Sequence, residues 1–138
     1  MRIRLALITA LVFVIAIVPG RAPASTSSST AEKSCREHPQ LVGRCFTVYG
    51  RLSVYNGAPA LRIWRVGTRR MLGISEQRFS EPGYRNVPVN LEKEINQDVE
   101  IFGDYLLCPF TRSKPDEMQL VCIESVKNLK IKKRSEGE

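Results

Sequence analysis

The sequence predicts an all-β domain with one short helix, in which the strands close as a small five-stranded barrel. Three observations carry that expectation. Residues 46–55 alternate apolar and polar side chains, which is the period of a half-buried strand. Three strand-like runs precede a turn-rich segment with one helical turn, and two runs follow it. Two of the strands carry a central glycine, Gly50 and Gly103, where a tightly curling strand needs a bend. A small β-sandwich is the alternative architecture.

Residues 1–24 read as a secretory signal. Arg2 and Arg4 precede an apolar run over residues 5–18, too short for a comfortable membrane span, and Ala22-Pro23-Ala24 offers a small-x-small cleavage site. Cleavage is expected after Ala24. The competing reading is an uncleaved N-terminal anchor. No cysteine follows the apolar run closely, which disfavours a lipid anchor. Without Arg2, Arg4 and Arg21 the net charge falls from +7 to +4. That balance favours solubility and mild attraction to anions, and it does not demand nucleic acid. Residues 25–34 are rich in Ser and Thr and read as a flexible leader. Residues 35–131 are expected to form the single domain, with a charged tail over 132–138.

Cys35, Cys45, Cys108 and Cys122 all lie in the exported part. An even count there reads as two disulfides. Three connectivities exist. Short loop closure favours Cys35–Cys45 and Cys108–Cys122. A metal site is disfavoured, because there is no Cys-x-x-Cys and His38 is the sole histidine.

The first strand runs over residues 46–55, with Phe46, Val48, Gly50, Leu52 and Val54 on the inner parity. Asn56-Gly57 suits a two-residue type I′ turn into a second strand over 61–66. That turn predicts a register in which Leu52 faces Leu61, Gly50 faces Ile63, Tyr49 faces Trp64 and Arg51 faces Arg62. Two opposed arginines need an offset. Arg65 falls on the inner parity, so either the strand has passed the barrel end there or a bulge shifts its phase. Gly67-Thr68 marks the next turn, and residues 71–75 form a short third strand. Residues 76–88 read as a loop. Asn90 is the expected cap of a helical turn over 91–97. Residues 99–108 form a fourth strand and 118–126 a fifth, with a possible extension at 129–131. Three strands, a helix-bearing connection and two strands is the order of an OB-fold, the partly open Greek-key barrel.

Gly50-Arg51-Leu52, Tyr55-Asn56-Gly57, Arg62-Ile63-Trp64, Gly67-Thr68 and Leu72-Gly73, followed by Phe102-Gly103-Asp104, Cys108-Pro109-Phe110-Thr111, Met118-Gln119 and Val121-Cys122-Ile123-Glu124, form a pattern over about residues 35–131. It resembles that of a family of small exported bacterial proteins of uncharacterised function. The resemblance implies export from a bacterial cell and a single domain. It brings no activity and no site residues.

The candidate binding surface is the outer face of the first hairpin: Tyr49, Arg51, Arg62 and Trp64, with Tyr55 near the turn and Arg69 and Arg70 at the next one. Aromatic rings offer stacking platforms, and arginines offer bidentate bonds to phosphate or carboxylate. Against this, the same residues serve equally well as cation–π decoration of a barrel wall. The basic run Lys127, Lys130, Lys132, Lys133 and Arg134 is a second candidate, set against a solvated tail. Glu100 and Asp104 share a strand face about 13 Å apart, wider than an acid–base pair usually needs. No hydrolase or phosphate-loop motif is present. The sequence therefore points to an exported, non-enzymatic binding module without a cofactor. Its ligand would be anionic or a saccharide. The alternative is an envelope-accessory domain that binds another protein. Nucleic acid is disfavoured by export, and no stable membrane span is expected after cleavage.

Overall fold

The computed structural model describes residues 32–76 and 79–135. The expected signal and residues 25–31 of the leader lie outside this range. Five strands are present among the described residues: β1 (Phe46–Val54), β2 (Leu61–Arg65), β3 (Met71–Ile74), β4 (Val99–Pro109) and β5 (Gln119–Lys133). A 3-10 turn, η1 (Cys35–Glu37), precedes β1, and a helix, α1 (Val89–Glu92), lies between β3 and β4.

The chain is all-β with one short helix, as expected. Ladders run β1-β2-β3-β5-β4 and return from β4 to β1, so the sheet closes on itself. The β3–β5 ladder is parallel and the others are antiparallel. Inner-parity side chains fill the centre. Leu52, Ile63, Ile74, Ile101, Leu107 and Val121 are buried, and Leu91 of α1 joins them. Each such side chain contributes roughly 1.5–3 kcal/mol of apolar transfer. Tyr105 shares this core and donates its hydroxyl proton to the Ile101 carbonyl at 2.7 Å. Burial pushes its hydroxyl well above the ordinary tyrosine pKa.

The two mid-strand glycines face each other across the β1–β4 ladder. A Cβ on Gly50 would collide with Ile63, and one on Gly103 would stand 2.7 Å from Val126. Hydrogen here lets the strands bend inward over the core.

Four expectations need correction. First, the β1–β2 register is shifted by two residues, to Leu52↔Ile63, Arg51↔Trp64 and Ser53↔Arg62. Asn56-Gly57 is not a two-residue turn. The Tyr55 amide bonds the Ala60 carbonyl, which closes a longer loop containing a cis Ala58-Pro59 bond. A shift of two keeps every side chain on its expected face. Arg51 therefore meets an indole, and Arg65, opposite Gly50, stands exposed at the strand end.

Second, the disulfides are Cys35–Cys122 and Cys45–Cys108, not Cys35–Cys45 and Cys108–Cys122. The reason is the β1–β4 ladder, which pairs Phe46 with Leu107 and so brings Cys45 beside Cys108. Loop length alone overlooks that long-range pairing. The bonds span 87 and 63 residues. In the chain-entropy account each restrains the unfolded chain by about 4–5 kcal/mol, against about 3 kcal/mol for the short loops.

Third, α1 covers Val89–Glu92 and is capped by Pro88, not by Asn90. Fourth, β5 continues through Lys133, so Lys132 and Lys133 pair with Glu100 and Val99 and are not free tail. The end of the leader is also tied down, because the Lys33 amide bonds the Gly83 carbonyl at 2.7 Å.

A second apolar cluster gathers Cys35, Cys108, Cys122 and Phe110. Phe79 stacks on Phe110 at 4.4 Å, and His38 packs edge-on to Phe110 at 4.8 Å. Two disulfides fit an oxidising compartment. No helix among the described residues is long and apolar enough to cross a membrane.

Candidate functional site

Two pairs from the expected face meet, Arg51 with Trp64 and Arg62 with Tyr55, and each binds its partner. β1 and β2 set Arg51 directly across from Trp64. The Arg51 guanidinium lies 5.1 Å from the indole centroid, and its Nη1 donates to the Glu100 carboxylate at 2.9 Å. The side chains of this ion pair are only 22% and 15% exposed. The Trp64 Nε1 donates to the Thr68 carbonyl at 2.7 Å. Both the ring face and the ring nitrogen are thus occupied.

Arg62 behaves in the same way. Its Nε donates to the Pro59 carbonyl at 2.9 Å and its Nη2 to the Asn56 carbonyl at 3.2 Å. Its guanidinium also lies 5.2 Å from the Tyr55 ring centroid. Arg134, from beyond β5, sits 5.5 Å from the same ring and donates to the Val54 carbonyl at 3.0 Å. Tyr55 and the two guanidinium groups therefore brace the β1–β2 loop. Tyr49 alone of this set stands open, at 47% exposure. The carboxylates of the fourth strand are also engaged: Glu100 with Arg51, and Asp104 with the Asn128 amide at 2.6 Å.

Arg70 is a clamp. Its Nη1 donates to the Lys114 and Pro115 carbonyls at 2.7 and 2.8 Å, and its Nη2 donates to the Ser113 hydroxyl at 2.8 Å. These bonds hold the β4–β5 loop against the start of β3. Arg69 beside it is exposed.

The loop that Arg70 clamps forms one wall of an open groove of about 420 Å³ at the end of the sheet where β1 and β5 begin. Arg44, Arg65 and Arg112 line it, together with Phe46, Thr111 and Gln119. Among the described residues its lining contains no carboxylate. All three arginines are exposed, and among the described residues no hydrogen bond or ion pair engages their side chains. Three uncompensated guanidinium groups around one concavity make a positive potential that attracts anions within about a Debye length.

Rigid features place each of them. Arg44 precedes Cys45, which is locked to Cys108. Arg65 ends β2 where Gly67 turns the chain with φ of 80°. Arg112 follows Thr111, whose hydroxyl accepts the Leu120 amide at 2.9 Å and whose carbonyl accepts the Gln119 side-chain amide at 2.9 Å. Sequence reasoning missed Arg44 and Arg112. The one signal it had was Arg65, a charge on the inner parity at a strand end.

His38 is buried at 3% exposure between Tyr84 and Phe110, which removes the sole histidine from contact with solvent. Cys35, Cys108 and Glu124 place their ligand-type atoms within 4.8 Å of one another, but both sulfurs are held in disulfides and offer no thiolate.

Comparison of the chain with protein-family models, with curated proteins and with solved structures found no match.

Proposed function

We propose that this is an exported, non-enzymatic binding module for an anionic ligand, built on an OB-like Greek-key barrel and using the end groove rather than the strand face. The closed order β1-β2-β3-β5-β4, with α1 between β3 and β4, is the order of that fold and supports the architecture. Two disulfides support export. The burial of His38 supports a binding rather than a catalytic role. The observation that carries the ligand reading is the set Arg44, Arg65 and Arg112, exposed around one groove and, among the described residues, without a partner or a carboxylate in the lining.

A guanidinium group binds carboxylate, sulfate or phosphate with two parallel hydrogen bonds. Three such groups spread over about 420 Å³ suit a ligand with several anionic groups, such as an acidic saccharide, better than one small ion. Phe46 and the exposed Val42 add apolar surface for a sugar ring or chain.

The test is calorimetric titration with a sulfated or uronate-bearing oligosaccharide and with its neutral counterpart. The acidic sugar is expected to bind and the neutral one to give no heat. The triple change Arg44→Ala, Arg65→Ala and Arg112→Ala should abolish binding, while Arg62→Ala should leave it intact. Undiminished affinity in the triple variant sinks the reading.

A further inference from the structure

β5 is the longest strand, and much of it has a neighbour on one side only. Gln119, Leu120 and Val121 pair with β3, and the strand pairs with β4 along its length from Val121 to Lys133. η1 then covers the next step, through the Cys35–Cys122 bond and the Arg36 amide, which donates to the Glu124 carboxylate at 2.8 Å. From residue 125 to 133 no strand lies on the edge turned away from β4, among the described residues. Such an edge is a row of backbone donors and acceptors that lack a ladder partner.

From residue 129 to 132 the side chains along this edge are sorted by face, and Lys133, opposite Val99, then shares the parity of Ile131. Ile131 pairs with buried Ile101 and so lies on the inner parity, yet it is 44% exposed. Leu129, two residues earlier, is 37% exposed. The other face carries Lys130 and Lys132, opposite Phe102 and Glu100, and before the bulge Lys127, opposite Asp104. Glu100, opposite Lys132, is neutralised by Arg51, and Lys132 lies 5.0 Å from the Phe102 ring centroid. Asp104, held by the neutral Asn128 amide, offsets Lys127 and leaves Lys130 and Lys132 without a carboxylate partner among the described residues. The result, over residues 129–132, is an open strand with an apolar face and a cationic face.

Lysines and bulges are devices that keep sheet edges from pairing with copies of themselves. An antiparallel pairing of two β5 edges would set lysines against lysines, which disfavours a second copy as the occupant. An edge guarded only against association would not retain exposed Leu129 and Ile131. The same charges favour an acidic strand. We propose that residues 125–133 of β5 are a strand-addition site for an extended segment of a partner protein in which acidic and apolar side chains alternate. Main-chain bonds to the edge supply affinity. Carboxylates beside Lys130 and Lys132 and apolar side chains beside Leu129 and Ile131 supply register. This surface is separate from the arginine groove and does not depend on it.

The test is amide hydrogen exchange on the full chain, with a peptide of four Val-Glu repeats and a control of four Val-Lys repeats. The Val-Glu peptide is expected to slow exchange at those amides of residues 125–133 that do not bond β4, and the Val-Lys peptide to have no effect. Lys130→Glu with Lys132→Glu should weaken the first peptide at least about tenfold and let the second one bind. Replacing Arg44, Arg65 and Arg112 by Ala should change neither result. Equal protection by both peptides, protection confined to the groove, or no reversal in the charge-swapped variant overturns the proposal. So does a finding that these amides are already protected in the free chain, which would mean that the edge has an occupant of its own.

Discussion

Arg51 and Arg62 stand on the flank of β1 and β2, whereas Arg44, Arg65 and Arg112 stand around one end of the closed sheet. The difference between the two sets is what each guanidinium touches. On the flank, Arg51 has Trp64 and Glu100, and Arg62 has Tyr55 and two loop carbonyls. At the end of the sheet the three guanidinium groups have no such contacts among the described residues. A composition count treats all five alike. Their neighbours divide them into groups that hold the fold and groups that remain available to a ligand.

That division is open to direct attack. The largest effect is expected from reversing charge in the groove. Arg44→Glu, Arg65→Glu and Arg112→Glu together should lower affinity for an acidic oligosaccharide by roughly 100-fold or more, through lost bidentate bonds and new repulsion. Urea denaturation of that variant should match the parent protein. A parallel loss of stability would show that the groove arginines are structural after all.

Next in size is the flank. Arg51→Ala leaves Glu100 partly buried without its cation and should cost about 1–3 kcal/mol of stability, read from urea midpoints. Acidic-sugar affinity should stay within about twofold, as befits a residue outside the groove. A double-mutant cycle with Glu100→Gln isolates the pair.

Arg70→Ala sharpens the comparison between the regions. It removes the clamp on the β4–β5 loop without removing a groove arginine. Affinity should fall roughly three- to tenfold as Arg112 loses its placement, since ordering a loop on binding costs about 1 kcal/mol. If affinity is unchanged, the loop is held by the Thr111 bonds alone. The smallest effect is expected from Arg62→Lys. It keeps the charge but loses the fork onto Pro59 and Asn56, for about 0.5–1 kcal/mol of stability and no change in binding.

Much of the fold was legible because its signals are local. The alternation from Phe46 to Val54 placed β1, and the paired glycines marked the bend. The three-then-two strand order matches the five strands described, with α1 between β3 and β4. What escaped was long-range. Cys45 meets Cys108 only because β1 pairs with a strand about fifty residues later, and no loop-length argument contains that ladder. The hairpin register failed because the loop, closed by the Tyr55 amide on the Ala60 carbonyl, is longer than Asn56-Gly57 alone suggests. The strand-face residues do share a face, but the expected pairs Tyr49–Trp64 and Arg51–Arg62 are replaced by Arg51–Trp64 and Arg62–Tyr55, whose mutual satisfaction is a matter of distances. Arg44, Arg65 and Arg112 lie at three separate strand boundaries, so only the closed sheet brings them together.

The disulfide arrangement also bears on how the molecule matures. A chain emerging from its N-terminus presents Cys35 and Cys45 as the first thiols in reach of each other, well before Cys108 and Cys122 arrive. The bond that forms most readily at that stage is one the finished molecule does not contain. Correct oxidation therefore requires either that the first two sulfurs stay reduced until the second half of the sheet exists, or that an early bond between them is later exchanged.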